Sequence, residues 1–134
     1  MDLLGTNQRV IEQFRAGGEI EGMHRDRLLL LTTTGRRSGA ERVSPMMFHP
    51  DGDRLLVIAS NMGAARHPAW YLNLVDHPKV EVQVKGDRFH AVARTAEGAE
   101  RGRLWRLMTG IWPDYDVYQQ RTARQIPVVV LERT

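Results

Sequence analysis

The segment TTTGRRSGAER, residues 32–42, concentrates groups that bind anions. These groups are the guanidinium ions of Arg36, Arg37 and Arg42 and the hydroxyl of Ser38. A guanidinium binds a phosphate or carboxylate through two parallel hydrogen bonds. Glycines at positions 35 and 39 allow a turn whose N–H groups point inward. The pattern fits a phosphate site, although a solvated turn and a nucleic-acid patch explain it as well.

Other kinds of site find less support. The loop lacks the spacing of a Walker loop and of a dinucleotide fingerprint. Nucleic-acid surfaces interleave basic with stacking aromatic residues, and no aromatic residue follows the loop until Phe48. The five histidines are scattered and form no HxxxH or HExxH pair. We therefore expect no nucleic-acid partner and no metal.

A second group of polar residues lies in ASNMGAARHPAWYLNL, residues 59–74. Ser60 and Asn61 follow an apolar run, where the main chain of a turn can meet the polar edge of a ligand. Trp70 and Asn73 are three apart, so they share one face of the helix that the proline begins. Packing of Trp70 and Tyr71 in the core is the simpler alternative.

Aromatic residues recur every three positions in TGIWPDYDVYQQRT, residues 109–122. If this segment is helical, Trp112, Tyr115 and Tyr118 lie on one side and form the wall of an apolar pocket that carries hydroxyl groups. Packing alone explains the same spacing, so both interpretations stay open.

Short strands and a few helices must position these residues. Strands are predicted at 20–24, 28–34, 42–48 and 55–60, in a hairpin within 80–93, and at 126–132. Helices are predicted from Thr6 or Asn7 to the AGGE of 16–19, from Pro68, at 97–111 and from Asp114. HPDGD, residues 49–53, is predicted to be a turn.

The short connections favour an antiparallel sheet, because parallel strands need long crossovers. Curling such a sheet hides its edges, so we predict a mainly β (α+β) protein, a small antiparallel barrel with peripheral helices. We expect one domain over 1–134, with 1–18 as an N-terminal helix or arm and 20–134 as the barrel.

The composition limits the chemistry and the compartment. There is no cysteine, which excludes disulfides and thiolate chemistry. The start lacks a basic leader followed by an apolar stretch, and the longest apolar run is LLVIA. We expect a cytoplasmic protein and leave a peripheral membrane contact open.

Four segments together resemble the deazaflavin-dependent nitroreductase family. They are LLTTTGRRSGAERVSPM, ASNMGAARHPAWYLNL, HPKVEVQV and IPVVVLE, in family order and spacing over about residues 28–132. The resemblance implies a split β-barrel, similar to FMN-binding split barrels. It also implies coenzyme F-420, an 8-hydroxy-5-deazaflavin with a phosphate and a glutamate tail.

The resemblance also assigns residues to the cofactor. The basic loop would hold the phosphate and the acidic tail, and segments 45–47, 58–61 and 70–73 would contact the ring system. The implied cofactor-binding residues are Arg36, Arg37, Ser38, Arg42, Pro45, Met47, Ile58, Ser60, Asn61, Trp70 and Asn73.

The implied reaction is hydride transfer to a small organic acceptor of quinone, enone or nitroaromatic type. Trp112, Tyr115 and Tyr118 match substrate-facing positions, and Tyr115, Tyr118 or Ser60 would donate the proton. Trp112 stands where the family's nitroimidazole-reducing member has tyrosine, and Met47 replaces an aromatic residue of that member, which argues against nitroreduction. A quinone or an enone fits the hydride chemistry.

The alternatives are an FMN-binding or haem-binding split barrel and a non-catalytic binder of a cofactor or apolar ligand. Spectra and titrations with each cofactor separate them. The sequence leaves open whether the protein is a monomer or a homodimer.

Overall fold

The computed structural model describes residues 3–16 and 27–134. The first helix, α1, spans Leu3–Ala16. It begins before Thr6 and Asn7, so these residues lie within the helix and the expected cap is wrong. The helix ends where the AGGE segment begins, as predicted. The strand predicted at 20–24 falls outside the described residues.

Seven strands and three further helices follow α1. The strands are β1 (Leu28–Thr34), β2 (Glu41–Met47), β3 (His49–Asp51), β4 (Arg54–Ile58), β5 (Lys79–Val84), β6 (Asp87–Thr95) and β7 (Val128–Arg133). The helices are α2 (Ala69–Asp76), α3 (Gly98–Ile111) and α4 (Asp114–Gln120). The strands form a single sheet in the order β2-β1-β5-β6-β7-β4-β3, and all its pairs are antiparallel. The predicted antiparallel architecture is confirmed.

The two edge strands of this sheet are joined by Phe48 alone. In a flat sheet, six spacings of about 4.8 Å would separate β2 from β3 by about 29 Å. One residue advances the chain by only about 3.8 Å. The sheet therefore has to curl until its edges meet, which gives the barrel shape.

The HPDGD segment is half strand and half turn. Residues His49–Asp51 form β3 and pair with Arg54–Leu56 of β4, so the turn is confined to Gly52 and Asp53. Gly52 has a φ of 62°, which suits glycine. The prediction of a five-residue turn is wrong because an edge strand tolerates Pro50, whose missing N–H would face away from the ladder.

The four consecutive leucines of β1 are buried on both faces of the sheet. Leu29 and Leu31 join the barrel interior with Val57, Val82 and other residues of the sheet. Leu28 and Leu30 instead pack under α1, against Val10, Ile11 and Phe14. A strand that is covered on both faces has no polar alternation, which explains the continuous apolar run.

A third cluster lies between the outer face of the sheet and α3. It contains Leu56 and Ile58 of β4 and Leu104 and Met108 of α3. Because successive side chains of a strand point to opposite faces, Val57 of the same strand faces the barrel interior. Within the described residues, no helix has the length and apolarity to cross a membrane.

Candidate functional site

A cavity of about 970 Å³ lies where the β1–β2 hairpin, α1 and the start of α2 come together. Small-molecule sites occupy about 300–1,000 Å³, so it has room for a cofactor-sized ligand. It is lined by Gln8, Ile11, Gly35, Arg36, Arg37, Ser38, Arg42, Val43, Ser44, Pro45, Asn61, Arg66, His67, Pro68, Ala69, Trp70 and Asn73. Segments far apart in sequence thus form one wall.

The charges on this wall are all positive. Arg36, Arg37, Arg42 and Arg66 line the cavity, and no aspartate or glutamate is among its lining residues. None of these four side chains forms a salt bridge within the described part of the chain. Unpaired guanidinium groups facing a cavity favour a ligand with phosphate or carboxylate groups.

The loop that joins β1 to β2, residues 35–40, is called the arginine loop here. Its N–H groups are mostly used inside the protein. The N–H of Gly35 donates to the Ala40 carbonyl over 2.7 Å, and that of Gly39 to the Gly35 carbonyl over 2.8 Å. The N–H of Ala40 donates to Ser38 Oγ. The expectation of an inward-facing set of N–H groups is therefore only partly met, and the side chains are the main anion-binding groups.

Asn73 of α2 fixes the beginning of the arginine loop. Its Oδ1 accepts a hydrogen bond from the Arg36 N–H over 3.1 Å, and its Nδ2 donates to Thr33 Oγ1 over 3.2 Å. Both Asn73 and Thr33 are buried. Asn73 thus ties the loop to α2, and it lines the cavity as well.

Most of the residues that the sequence assigned to a cofactor meet in this cavity. Three do not line it. Met47 packs against the cluster under α1, and Ile58 is buried against α3. Ser60 is half-buried, and its carbonyl accepts hydrogen bonds from the Gly63 N–H and from Arg124.

Residues Asn61–Gly63 form a left-handed turn beside the cavity. Asn61, Met62 and Gly63 have φ angles of 49°, 53° and 80°. The side chain of Asn61 donates to the Arg66 carbonyl over 3.1 Å. This bond links the turn to the segment that brings Arg66 and His67 to the cavity.

The aromatic residues of the third segment contact one another edge to face. The ring centroids of Trp112 and Tyr115 are 6.1 Å apart, and those of Tyr115 and Tyr118 are 6.2 Å apart. The three residues pack against the α3 cluster and do not line the cavity. Burial, with a smaller contribution from Tyr118, raises the pKa of Tyr115 to about 12.

Helix α4, which carries these tyrosines, packs closely on the left-handed turn. A Cβ on Gly63 would lie 2.6 Å from the Tyr118 carbonyl oxygen and 2.9 Å from Arg121 Cβ. Glycine is therefore required there both by space and by its φ. The aromatic residues and the cavity are neighbours through this turn, since Asn61 lines the cavity.

Sequence reasoning missed several residues of this region. Gln8 and Ile11 of α1, together with Arg66 and His67, line the cavity. Arg124 lies behind it and bonds to His67 Nδ1 over 3.1 Å. Burial, and then the nearby Arg124 charge, lower the pKa of His67 below its ordinary value. No local pattern marks these residues, because their contacts span up to 65 positions of the sequence.

Comparisons with known proteins identify the family of this chain. The family model described as "F420H(2)-dependent quinone reductase" matches residues 6–133. An F420H(2)-dependent quinone reductase of Mycobacterium tuberculosis is 38% identical over 132 residues, which is 96% of this chain and 83% of that protein. Another protein of Mycobacterium tuberculosis, described as a "putative F420H(2)-dependent quinone reductase", is 38% identical over 103 residues, which is 77% of this chain and 87% of that protein.

Solved structures give the same picture. A structure described as an F420-H2 dependent reductase has a TM-score of 0.73 and 37% identity, and covers 83% of this chain and 100% of its own. A domain-swapped dimer has a TM-score of 0.75 and 35% identity, and covers 91% and 93% of the two chains. A haem storage protein from Vibrio cholerae, at 18% identity, a TM-score of 0.60 and coverage of 92% and 87%, shares the fold alone.

The resemblance to deazaflavin-dependent reductases is thus confirmed, whereas the finer nitroreductase label stays a prediction. The match covers nearly the whole chain, and the positively charged cavity lies inside the matched range. The chain belongs to the F420H(2)-dependent quinone reductase family.

Proposed function

We propose that this protein takes a hydride from reduced coenzyme F-420 and delivers it to a quinone-type acceptor. The observation that carries the proposal is the cavity wall with four arginines and no carboxylate, in a chain of this family. The cofactor has a phosphate and a glutamate tail, and this donor set fits such a polyanion. FMN carries a single phosphate, so the surplus of positive charge favours the deazaflavin.

The arginine loop binds the acidic part of the cofactor in this proposal. Arg36, Arg37 and Arg42 hold the phosphate and the carboxylates, with Ser38 as an additional donor. Each charge-assisted hydrogen bond contributes roughly 1.5–3 kcal/mol, so two or three of them anchor a small ligand. Asn73 keeps the loop in place through its bond to the Arg36 N–H.

The ring system would lie against Pro45 and Trp70, with Asn61 at its polar edge. Pro45 and Trp70 provide apolar surface on opposite elements, β2 and α2, and both line the cavity. Ser60 contributes its N–H or hydroxyl at the same edge. Met47 and Ile58 would support the cavity wall without contacting the cofactor, since both pack in neighbouring clusters.

When bound, the reduced deazaflavin supplies a hydride, because it transfers electrons in pairs and has no stable one-electron path. Reduction of a quinone to a hydroquinone consumes this hydride and one proton. The hydroxyl groups of Tyr115 and Tyr118 accept or donate no hydrogen bond within the described part of the chain. Burial raises the pKa of Tyr115 to about 12, so its hydroxyl stays protonated at physiological pH and is a hydrogen-bond donor to the acceptor oxygen rather than a strong acid.

Trp112 and the two tyrosines would also form the apolar side of the acceptor site. Tyr118 lies next to the left-handed turn, whose Asn61 lines the cavity, and Tyr115 and Trp112 follow it in a row of ring contacts. An acceptor placed there contacts both the aromatic rings and the cofactor edge. Positioning of the two reactants accounts for most of the expected rate enhancement.

The experiment is a titration of oxidised coenzyme F-420 into the wild type and into Arg36→Ala/Arg37→Ala by calorimetry. We expect the double substitution to weaken binding at least tenfold, about 1.4 kcal/mol. Arg103→Ala/Arg106→Ala removes the same charge from the exposed side of α3 and should leave the dissociation constant within twofold. Equal dissociation constants in all three proteins would contradict the role of the arginine loop.

The acceptor is tested by following the oxidation of the reduced cofactor with quinones, enones and nitroaromatics. We expect the highest kcat/KM with quinones. Tight cofactor binding with no turnover on any acceptor would favour a binder of the cofactor. Tight binding of FMN or haem in place of the deazaflavin would overturn the proposal.

A further inference from the structure

The left-handed turn needs an external support. Asn61 and Met62 are L-residues with φ near 50°, where the side chain crowds the backbone and strains it. The internal hydrogen bonds of this region run from Gly63 N to the Ser60 carbonyl and from Ala64 N to the Asn61 carbonyl. Two such bonds do not select a strained form over a relaxed one, so other contacts must hold it.

Arg124 provides three of these contacts, beside the bond from Arg121 Nη1 to the Met62 carbonyl over 3.4 Å and the side-chain bond of Asn61 to the Arg66 carbonyl. Its Nε donates to the Ala64 carbonyl over 3.0 Å, and its Nη2 to the Ser60 carbonyl over 2.8 Å. Its Nη1 donates to the Ala59 carbonyl over 3.3 Å. One guanidinium thus binds carbonyl groups on both sides of the turn. Hydrogen bonds to a charged group are stronger than those between neutral groups, so three of them offset the strain of two left-handed residues.

Arg124 also determines the protonation of His67. The Nη1 group lies 3.1 Å from His67 Nδ1, and a guanidinium has no lone pair to offer. His67 Nδ1 must therefore accept the bond, which places the ring proton on Nε2. Burial and the Arg124 charge lower the pKa of His67, in agreement with a neutral ring. His67 lines the cavity, so Arg124 fixes a second group of its wall.

The position of Arg124 is itself fixed by the end of α4 and the approach to β7. Gln119 Nε2 donates to the Arg124 carbonyl over 2.7 Å, and Gln119 Oε1 accepts from the Ile126 N–H over 2.9 Å. The guanidinium therefore reaches the turn from a rigid base. It connects the helix that carries the tyrosines with the wall that faces the cofactor.

We propose that Arg124 is a positioning residue, which holds the left-handed turn and His67 in the geometry that receives the polar edge of the cofactor ring. This inference rests on the proposed function. With Ser60 right-handed and Asn61 left-handed, the N–H groups of residues 60–62 turn toward a common point. Such an arrangement binds an oxygen that carries partial negative charge. Without Arg124 the turn relaxes and the arrangement is lost.

The first test uses the free protein and the substitution Arg124→Lys. Lysine keeps the charge but places its donors at one point, so it does not reach three carbonyl groups. The matched control is Arg101→Lys, a half-buried arginine that donates to one carbonyl, that of Ile126, over 2.7 Å. We expect amide hydrogen exchange to rise at least tenfold in residues 59–67 of Arg124→Lys, and to be unchanged there in the control.

The second test measures binding and turnover of coenzyme F-420. In Arg124→Lys we expect the dissociation constant to rise at least tenfold, and kcat at saturating cofactor to fall at least fivefold. The KM for a quinone acceptor should stay within twofold. Arg101→Lys should stay within twofold in all three quantities. A purely structural role would lower the stability of both variants and leave kcat of the folded, saturated enzyme unchanged.

Two results would overturn the inference. One is unchanged exchange in residues 59–67 of Arg124→Lys, and the other is binding and kcat within twofold of the wild type. If the wild type itself failed to bind coenzyme F-420, the proposed function would fail. In that case the exchange measurement would still test whether Arg124 holds the turn, because it uses the free protein without the cofactor.

Discussion

The bond between α2 and the arginine loop allows a quantitative prediction, for the substitution Asn73→Ala. The substitution removes the hydrogen bonds to the Arg36 N–H and to Thr33 Oγ1, at about 1 kcal/mol each. It also leaves the Thr33 hydroxyl, which is 1% exposed, without its partner, at a further cost of about 1 kcal/mol or more. Alanine recovers about 0.5 kcal/mol through its higher helix propensity.

The free energy of unfolding should therefore fall by about 2–3 kcal/mol, measured by urea denaturation at pH 7. The arginine loop also loses its attachment to α2, so the dissociation constant of coenzyme F-420 should rise at least fivefold. Both effects have one origin, because the same side chain holds the loop and lines the cavity.

Asn73→Asp is the matched control for this prediction. An aspartate still accepts from the Arg36 N–H, and the Thr33 hydroxyl is able to donate to its second oxygen. Stability should fall by less than in Asn73→Ala, since both bonds are kept and the arginine side chains of the cavity wall offset part of the cost of burying a carboxylate. Cofactor binding should nevertheless weaken at least tenfold, because a negative charge then faces an anionic ligand. A loss below about 1 kcal/mol in Asn73→Ala, with unchanged binding, would refute the role given to this bond.

Two further substitutions test the packing and the charges around the barrel. Gly63→Ala should lower the free energy of unfolding, measured in urea, by at least about 2 kcal/mol, because the new Cβ would lie 2.6 Å from the Tyr118 carbonyl oxygen at a positive φ. An unchanged urea midpoint would contradict the close packing of α4. Glu100→Gln removes a carboxylate whose pKa is lowered to about 2 by hydrogen bonds from Arg94 and Arg54. A lowered pKa in the folded state stabilises the fold at pH values above the unfolded pKa of 4.5, and this stabilisation is lost as the pH falls toward 2. The variant should therefore be less stable than the wild type at pH 7, and this difference in stability should vanish near pH 2. A difference that is the same at both pH values would exclude this ion pair as its cause.

The strands could be predicted where their burial is uniform. Leu28–Thr34 is predicted with its bounds, because a run of leucines and threonines fits a strand covered on both faces. The short strand His49–Asp51 was missed, since proline and aspartate indicate a turn when no partner strand is known. This strand is stabilised by hydrogen bonds to β4, a partner that the local sequence alone does not indicate.

The candidate site was predictable where residues of one kind are clustered in sequence. The arginines of residues 36–42 and the Trp70–Asn73 pair meet in one cavity. Local spacing identified each group separately, and the family resemblance assigned both to one cofactor site. Arg124 was not predictable, because its partners lie 57 to 65 positions away. Its role follows from the carbonyl groups that the left-handed turn presents, and main-chain carbonyls carry no sequence signature.

The order of the strands has a consequence for how the chain acquires its shape. The strand pair β3–β4 reaches β6 only through β7, which is inserted between them. A growing chain that has reached α4 but not residues 128–133 therefore carries two open edges, on β4 and on β6. Those edges are templates for a strand from another molecule, so the pairing of residues 128–133 with β4 and β6 is what closes the sheet against association with other copies.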